Sequence, residues 1–416
     1  MGQYKKPELL APAGNLEKLK TAIVFGADAV YFGLPDFSLR LRVNDFSLRD
    51  IKSGIAYAHA AKKKAYVTVN IFARDRHFKK LEAHILKLKE YGADAIFISD
   101  PGVARIVKKV WPKARLSLST QANCTNLQSA LFWREQGFRR LILSRELKLA
   151  EVKAIKDGMG DRAEIEVFVH GALCAAYSGR CFLSDYFVGR SANLGDCSQP
   201  CRWEYEIKPR GHEASLLLGE DRHGSYLLNS MDLCLIARIP ELISAGVDAM
   251  KIEGRAKSVY YLANVVGAYR RAIDLCFSGI SKKEISSELT RLKKELTEKL
   301  NNRRYCEGFM FESGGLQNYQ GNEMSSPWEF CGQVLSSTKK DGRYELQVRA
   351  HNTILNHGEL EIVGPSYELA MLDASSIRDA ASGGEIEEAH GGGGGTKVII
   401  SSDRDWPVRS VLRRRI

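Results

Sequence analysis

The sequence predicts an α/β protein: a (β/α)8, TIM-like barrel with a long insertion after strand 7 and a small C-terminal all-β domain. Three observations support this prediction. A glycine-led segment recurs where helices give way to strands, apolar runs of strand length alternate with helical stretches, and the composition changes near Pro327. Eight alternating strand and helix units within about 270 residues fit a barrel better than an open doubly wound sheet.

The recurring segment begins Gly-Ala-Asp-Ala or Gly-Val-Asp-Ala at residues 26–33, 92–99 and 246–253, with a weaker copy at 137–144. Its glycine suits the left-handed position that ends a helix, and the apolar residues after the short polar turn suit a buried parallel strand. Each copy therefore marks the junction of a helix with a barrel strand.

The other apolar runs complete a set of eight predicted strands, at residues 8–12, 29–33, 65–70, 95–99, 115–120, 140–144, 164–169 and 249–253. Helical stretches lie between them, as at 16–25, 50–62 and 80–91. Residues 171–226 are the predicted insertion after strand 7. A long amphipathic helix over 258–277 and a charged helix over 282–300 follow the last barrel strand.

The chain is predicted to divide into a barrel domain over residues 1–325 and a small β-barrel-like domain over residues 326–416. After Trp328 the apolar runs are short, as at 332–335, 344–348 and 360–363, and Gly-rich turns separate them. Short strands between such turns are typical of an all-β unit.

The formal net charge of +11 is unevenly distributed. Residues 328–416 hold 11 Lys or Arg against 13 Asp or Glu, so the remaining residues carry 50 against 37. A basic barrel domain is compatible with RNA or another phosphate-bearing partner, and equally with a basic protein that binds no polyanion. The N-terminus has no apolar stretch of signal-peptide length, and no run reaches the roughly 18 apolar residues of a membrane span. We therefore expect a cytoplasmic protein with no membrane partner.

Five of the nine cysteines fall within 61 residues, with the spacing C-x6-C-x15-C-x3-C-x32-C. In a reducing compartment, clustered cysteines are metal ligands or redox groups more often than disulfides. Four thiolates suit an iron–sulfur cluster or a structural zinc, and the absence of paired C-x2-C motifs favours the cluster. Five unrelated buried thiols are the remaining alternative. The five are Cys174, Cys181, Cys197, Cys201 and Cys234.

The segment that begins at His170 leaves the carboxyl end of strand 7, the rim where barrel enzymes carry their active sites. Alternation along strand 8 places Lys251, Glu253 and Arg255 on one face, as a salt-bridge set or as groups that bind an anion or transfer protons. His170 is a candidate general acid or base, or a hydrogen-bonded residue at the strand end.

Polar residues near other strand ends are candidate substrate contacts. Asn70, Gln121 and Asn123 could read the polar edges of a substrate or cap loops. Arg145, Arg180 and Arg202 could bind a carboxylate or phosphate beside the cysteines, or form local salt bridges.

The segment 166–184, EVFVHGALCAAYSGRCFLS, resembles the signature of peptidase family U32. Further blocks resemble that family at 8–15 (ELLAPAGN), 119–123 (STQAN), 195–203 (GDCSQPCRW), 229–234 (NSMDLC) and 251–255 (KIEGR). The resemblance covers residues 7 to 315, and the region after Trp328 is similar to the family's C-terminal domain.

The resemblance implies an iron–sulfur-dependent, oxygen-independent RNA hydroxylase. Its members include enzymes that form 5-hydroxyuridine at the tRNA wobble position in a prephenate-linked reaction, and the length of this chain is most similar to theirs. Carried over by position, the ligands of a [4Fe-4S] cluster would be Cys174, Cys181, Cys197 and Cys234, with Cys201 as the alternative third ligand. The implied partners are tRNA, a small anionic co-substrate and a partner subunit from the same family.

Three other functions remain alternatives. The family name implies a peptidase or collagenase-like protease, but no Ser-His-Asp, Cys-His or H-E-x-x-H arrangement stands out. Other members hydroxylate ribosomal RNA or a ubiquinone precursor. A non-catalytic RNA-binding protein with a structural zinc is the third alternative.

Overall fold

A closed parallel barrel forms the N-terminal part of the protein, confirming the predicted fold class. The computed structural model describes residues 4–39, 45–203, 229–312, 316–318, 325–392 and 395–416, together with the backbone of 219–221 and 224–226. Seven strands pair in sequence order, and the eighth, Ala249–Ile252, pairs in parallel with both Glu8–Pro12 and Glu164–Ala172 to close the barrel. All eight predicted strands are present, with ends shifted by up to three residues.

The strands up to the end of the barrel region, labelled in chain order, are β1 Glu8–Pro12, β2 Ala29–Gly33, β3 Lys64–Val69, β4 Ala95–Ile98, β5 Leu116–Leu118, β6 Phe138–Ile142, β7 Glu164–Ala172, β8 Gly219–Asp221, β9 Gly224–Tyr226, β10 Asp232–Cys234, β11 Ala249–Ile252 and β12 Tyr305–Cys306. The helices are α1 Leu16–Val24, α2 Leu48–Ala60, α3 Asp75–Tyr91, α4 Pro101–Val110, α5 Leu127–Glu135, α6 Leu149–Met159, α7 Leu183–Val188, α8 Ile239–Ser244, α9 Val259–Cys276, α10 Lys282–Lys299 and α11 Gly308–Phe311.

Side-chain caps fix where several of these helices begin. Asn15, Ser47, Asp100 and Ser258 each accept a hydrogen bond from a backbone N–H in the first turn of the helix that follows. Such caps satisfy donors that have no partner within the helix. The glycine-led junctions behave as predicted, because Gly92 takes the left-handed conformation (φ 80°) that ends α3 before β4.

The long segment after β7 returns to the barrel through β10. This strand runs antiparallel to β7, with Cys234 opposite His170, and β12 pairs with its other edge. The sequence did not predict this addition to the sheet, which covers the outer side of the end of β7. A register shift also separates the pair Lys251–Phe168 from the pair Ile252–His170 between β11 and β7. Both irregularities affect the candidate site.

The C-terminal region is an antiparallel sheet of seven strands with a core of its own. The strands in this region are β13 Trp328–Lys340, β14 Arg343–Ala350, β15 Ile354–Leu355, β16 Leu360–Gly364, β17 Glu368–Met371, β18 Arg378–Asp379, β19 Glu388–Ala389, β20 Lys397–Ser402 and β21 Val411–Arg415. The fully buried Arg413 joins this sheet to α10, with its Nη2 2.7 Å from an oxygen of Glu295. Tyr367 packs into the core of the barrel region, so the two regions share an apolar contact.

Candidate active site

A cavity of about 110 Å³ lies at the carboxyl ends of the barrel strands, between the barrel mouth and the insertion. Strand ends supply its floor, and residues 174–201 supply its roof. Its polar and charged lining comprises Thr68, Asn70, Ser119, Thr120, Gln121, Arg145, Cys174, Cys181, Cys197, Cys201, Lys251, Glu253 and Arg255. Most of the residues predicted from the sequence as site residues therefore share one cavity.

Four thiols face this cavity: Cys174, Cys181, Cys197 and Cys201. Backbone N–H groups point at two of the sulfurs, since Leu183 N lies 3.4 Å from the Sγ of Cys181 and Gln199 N lies 3.4 Å from the Sγ of Cys197. Burial raises the pKa of Cys181 and of Cys201, and the neighbouring thiols raise both further. The loops thus bring four of the five clustered cysteines together.

Cys234 is the exception: it does not line this cavity, and the ligand set implied by the family resemblance, which includes it, stays a prediction. Its side chain is buried in the core behind β7, away from the cavity, where the hydroxyl of Tyr269 lies 3.9 Å from its Sγ. Burial raises its pKa to about 11. The antiparallel pairing of β10 with β7 fixes this position. Cys201, the alternative third ligand, lines the cavity together with Cys197.

The chemistry of the four thiols fits a soft metal centre. All nine cysteines are free, and the described residues contain no group of three or more His, Cys, Asp or Glu side chains already spaced as metal ligands. Thiolates are the ligands that iron–sulfur clusters and structural zinc prefer. Four of them around one small cavity match the ligand number of either centre.

Lys251 lies at the base of the cavity in a buried ion pair. Its Nζ is 3.1 Å from one carboxylate oxygen of Glu166. The other oxygen of Glu166 accepts a hydrogen bond from Arg140 at 3.1 Å. The rings of Phe97 and Tyr31 surround the ammonium, with centroids at 3.8 and 4.2 Å. Burial lowers the pKa of Lys251 to about 8, although Glu166 opposes that shift. This lysine can therefore carry a charge or exchange a proton near neutral pH.

Polar groups above Lys251 form a connected hydrogen-bond network. Arg255 is buried and donates to the hydroxyl of Thr68 (3.2 Å), to Ser38 and to the carbonyl of Leu39 (2.8 Å). The amide nitrogen of Asn70 lies 3.2 Å from Ser119 Oγ and 3.3 Å from Gln121 Oε1. Hydroxyl and amide groups held in this way can read the polar edge of a substrate.

An outer pocket of about 250 Å³ adjoins the cysteines and is lined by three cationic side chains. Arg202, Lys257 and Arg303 line it together with Glu253, which also faces the inner cavity. Burial lowers the pKa of Arg202, and the nearby Arg303 lowers it further. Two clustered guanidinium groups favour an anionic ligand at this position.

The other predicted arginines lie around the inner cavity. Arg145 lines it, stacks over the ring of Phe168 at 4.5 Å and donates to the carbonyl of Ala172. Arg180 lies on the outer surface, and its Nε donates a hydrogen bond of 2.8 Å to the carbonyl of Gln121. Asn123 does not face the cavity. Its left-handed backbone (φ 61°) turns the side chain toward the hydroxyl of Ser144, so the predicted substrate contact is corrected to a loop contact.

His170 also lies outside the cavity, which corrects its interpretation as an acid or base there. The register shift between β7 and β11 breaks the alternation of side chains, so Phe168 faces inward and His170 packs behind the barrel. Its ring is surrounded by Tyr261, Tyr269 and Tyr305, and its Nδ1 is 3.3 Å from the hydroxyl of Tyr269. Burial lowers the pKa of His170 to about 3.

We expect His170 to make folding pH-dependent. The folded protein keeps the ring neutral, while the unfolded chain takes up a proton near pH 6.5. The contribution of the neutral ring to the free energy of unfolding is therefore complete above about pH 6.5 and is lost as the pH falls toward 3. Burial raises the pKa of the surrounding Tyr261, Tyr269 and Tyr305 well above its usual value, so these tyrosines stay neutral over this range. Urea unfolding between pH 7 and pH 5 should show a shallower loss of stability in His170→Phe, by about 1 kcal/mol per pH unit on average. Equal slopes in the two proteins would contradict this account.

Sequence reasoning missed the aromatic side chains of the insertion. Phe182, Tyr186 and Phe187 are exposed beside the cysteines, and Trp203 is exposed near them. The sequence did contain a signal. Several apolar residues follow Cys181 on a helix of only six residues, and their spacing fits neither a strand nor a helix that would bury all of them. Glu166 was also missed as the partner of Lys251, since it is on a different strand.

The profile of peptidase family U32 matches residues 14–319. The chain belongs to this family. Among the residues that the structure describes, no helix is both long and apolar enough to span a membrane.

Three proteins from Escherichia coli and Bacillus subtilis are similar to this chain. The tRNA hydroxylation protein P of Escherichia coli (strain K12) is 39% identical over an alignment of 379 positions, which covers 81% of this chain and 82% of the relative. The tRNA hydroxylation protein P1 of Bacillus subtilis (strain 168) is 36% identical over 388 residues, 92% of this chain and 90% of the relative. A 23S rRNA 5-hydroxycytidine synthase of Escherichia coli (strain K12) is 38% identical over 267 residues, 64% of this chain and 39% of the relative.

Proposed function

We propose that this U32 protein is an RNA hydroxylase that forms 5-hydroxyuridine at the wobble position of tRNA. One observation carries the proposal: relatives named for tRNA hydroxylation align with 81% and 92% of this chain and with 82% and 90% of their own lengths. At 92% of the chain, the alignment with the Bacillus subtilis relative includes residues of both the barrel region and the C-terminal region. The ribosomal RNA enzyme matches over a smaller share of its own length, which favours tRNA over ribosomal RNA.

In this proposal the target uracil enters the inner cavity. Enzymes that modify a base take it out of the stack, and a base in a single-stranded loop needs little energy to leave it. Asn70, Ser119 and Gln121 present amide and hydroxyl groups that can pair with the carbonyls and N–H of a uracil ring. The rings of Phe168 and Tyr31 also line the cavity, where they can contact a flat base.

Cys174, Cys181, Cys197 and Cys201 would hold a [4Fe-4S] cluster at the roof of the same cavity. A bound cluster would supply one-electron transfer beside the target base. The roles of the chain itself are to hold the four sulfurs, to exclude water with the insertion and to keep Lys251 charged or able to exchange a proton. Glu253 lies between the inner cavity and the outer pocket, in position to contact ligands in either one.

The outer pocket suits the anionic co-substrate. Prephenate carries two carboxylate groups, and Arg202, Lys257 and Arg303 supply three cations around a space of about 250 Å³. Bidentate pairing with a guanidinium fixes the orientation of a carboxylate. We propose that this reaction takes its oxygen from a source other than dioxygen, as the family resemblance implies.

A peptidase mechanism has less support from the described residues. No histidine lines the inner cavity or the outer pocket among them, so the four thiols lack the base that activates a cysteine nucleophile. His170, the nearest histidine in sequence, is neutral, buried and bonded to Tyr269.

Nucleoside mass spectrometry tests the proposed function. A strain lacking the gene, grown without oxygen, should lose 5-hydroxyuridine derivatives from its tRNA and recover them when the intact gene is restored. Ribosomal RNA from the same cells is the control for substrate choice. Unchanged tRNA together with a lost modification in ribosomal RNA would transfer the assignment to ribosomal RNA, and no change in either would reject RNA hydroxylation.

A further inference from the structure

The insertion exposes a patch of aromatic side chains beside the cavity. Phe182 and Tyr186 are 76% and 83% exposed, and Phe187 and Trp203 are also exposed. Three of the rings are contiguous, with 5.4 Å between the centroids of Tyr186 and Phe187 and 6.4 Å between those of Phe187 and Trp203. We call these four residues the aromatic patch. Exposed apolar patches of this kind mark binding surfaces in folded proteins.

Helix α7 shows how the patch is kept in solvent. Its polar Ser184 is the buried residue, and it anchors the helix to the cysteine loop by accepting from Ser198 N at 2.9 Å. The hydroxyl of Ser184 also lies 3.8 Å from the Sγ of Cys197. The aromatic residues consequently occupy the outer face, the reverse of an ordinary surface helix. This arrangement ties the patch rigidly to the thiols.

Three arginines lie beside the patch in the sequence. Arg180 precedes α7, Arg190 follows it with Asp196 as its partner at 2.8 Å, and Arg202 precedes Trp203. The described residues between 174 and 203 contain three arginines and two aspartates. Aromatic rings interleaved with arginines match the chemistry of unpaired nucleotides, which offer flat bases on an anionic backbone.

We propose that the aromatic patch stacks the unpaired bases that flank the modified nucleotide in the RNA loop. This inference rests on the proposed function, because it assumes an RNA loop at the cavity mouth. Stacking on Tyr186 and Phe187 would hold the neighbouring bases outside while the target base enters the cavity. Arginines placed between the rings favour RNA as the ligand over a protein or a lipid surface.

Binding of a tRNA anticodon stem-loop, followed by fluorescence anisotropy without oxygen, tests the proposal. Tyr186→Ala and Phe187→Ala should each raise Kd for the stem-loop by about tenfold. Tyr186→Phe keeps the ring and should bind like the intact protein. A fully paired duplex of the same strand should bind equally to all of them, because its bases are not available for stacking.

Phe132→Ala is the matched control. Phe132 is a half-exposed aromatic residue on α5 with its own edge-to-face partner, Trp133, at 5.3 Å, and its removal should leave Kd unchanged. The salt dependence separates stacking from charge: Tyr186→Ala should keep the slope of log Kd against log salt, while Arg180→Gln should reduce it by about 1.

An unchanged stem-loop Kd in both alanine variants overturns the proposal and leaves a protein partner or a lipid surface as the occupant. A wild-type protein that binds stem-loop and duplex equally overturns it as well. Failure of the proposed function would give a different result from failure of the stacking proposal. The intact protein would then bind the RNA loop through the patch but leave the uridine of the loop unmodified.

Discussion

Replacement of Cys201 by serine is expected to abolish tRNA hydroxylation and to release bound iron, whereas Cys234→Ser should retain both. Cys201 faces the cavity with Cys174, Cys181 and Cys197, and a cluster that loses one of four thiolates loses a bond to iron. Cys234 lies behind β7 beside Tyr269. The measurements are 5-hydroxyuridine in tRNA from a complemented deletion strain and iron in the purified variants.

The Cys234→Ser variant is the control for a merely damaged core, because both substitutions change one sulfur to oxygen. Urea unfolding of the two variants should show that Cys234→Ser, with its fully buried side chain, is the less stable protein even though it keeps its iron. The opposite pattern, iron lost from Cys234→Ser and kept in Cys201→Ser, would restore the ligand set carried over from the family resemblance.

Glu166→Gln should destabilise the barrel by about 3–5 kcal/mol. Glu166 is fully buried and uses its two oxygens for two different cations, Lys251 and Arg140. Glutamine has one acceptor oxygen, so its amide nitrogen would face one of the cations, and the ammonium of Lys251 would lose its counter-charge. Urea unfolding should show a lower midpoint with an unchanged slope.

Glu164→Gln is the matched control on the same strand. Glu164 also bonds Arg140, at 2.7 Å, but its side chain is about one quarter exposed and has Arg115 as a second partner. Its replacement should cost about 1 kcal/mol or less. Equal losses from the two substitutions would contradict the assignment of Glu166 as the central carboxylate of the barrel interior.

The barrel was predictable because each strand is a short local signal. The glycine at 26, 92 or 246 and the apolar residues after it need no knowledge of distant parts of the chain. Alternation also placed Lys251, Glu253 and Arg255 on the cavity correctly. The ion pair of Lys251 was not predictable, since Glu166 precedes it by 85 residues and only barrel closure makes them neighbours.

The positions of His170 and Cys234 outside the cavity have one structural origin. Both depend on how the end of β7 pairs with other strands: a register shift against β11 moves His170 out of the cavity, and the antiparallel β10 draws Cys234 into the core. Strand pairing between distant segments leaves no periodic signal in the sequence. The spacing of the cysteines alone therefore kept both Cys201 and Cys234 as candidates.

Metal and acid-labile sulfide analysis of the protein purified without oxygen tests whether the four cavity thiols hold an iron–sulfur cluster. Four irons and four sulfides per chain, with the visible absorption of an iron–sulfur chromophore, are the expected result for a cluster on Cys174, Cys181, Cys197 and Cys201. Loss of that chromophore in Cys201→Ser would complete the assignment. One zinc per chain without iron would contradict it and identify the four thiols as a structural site.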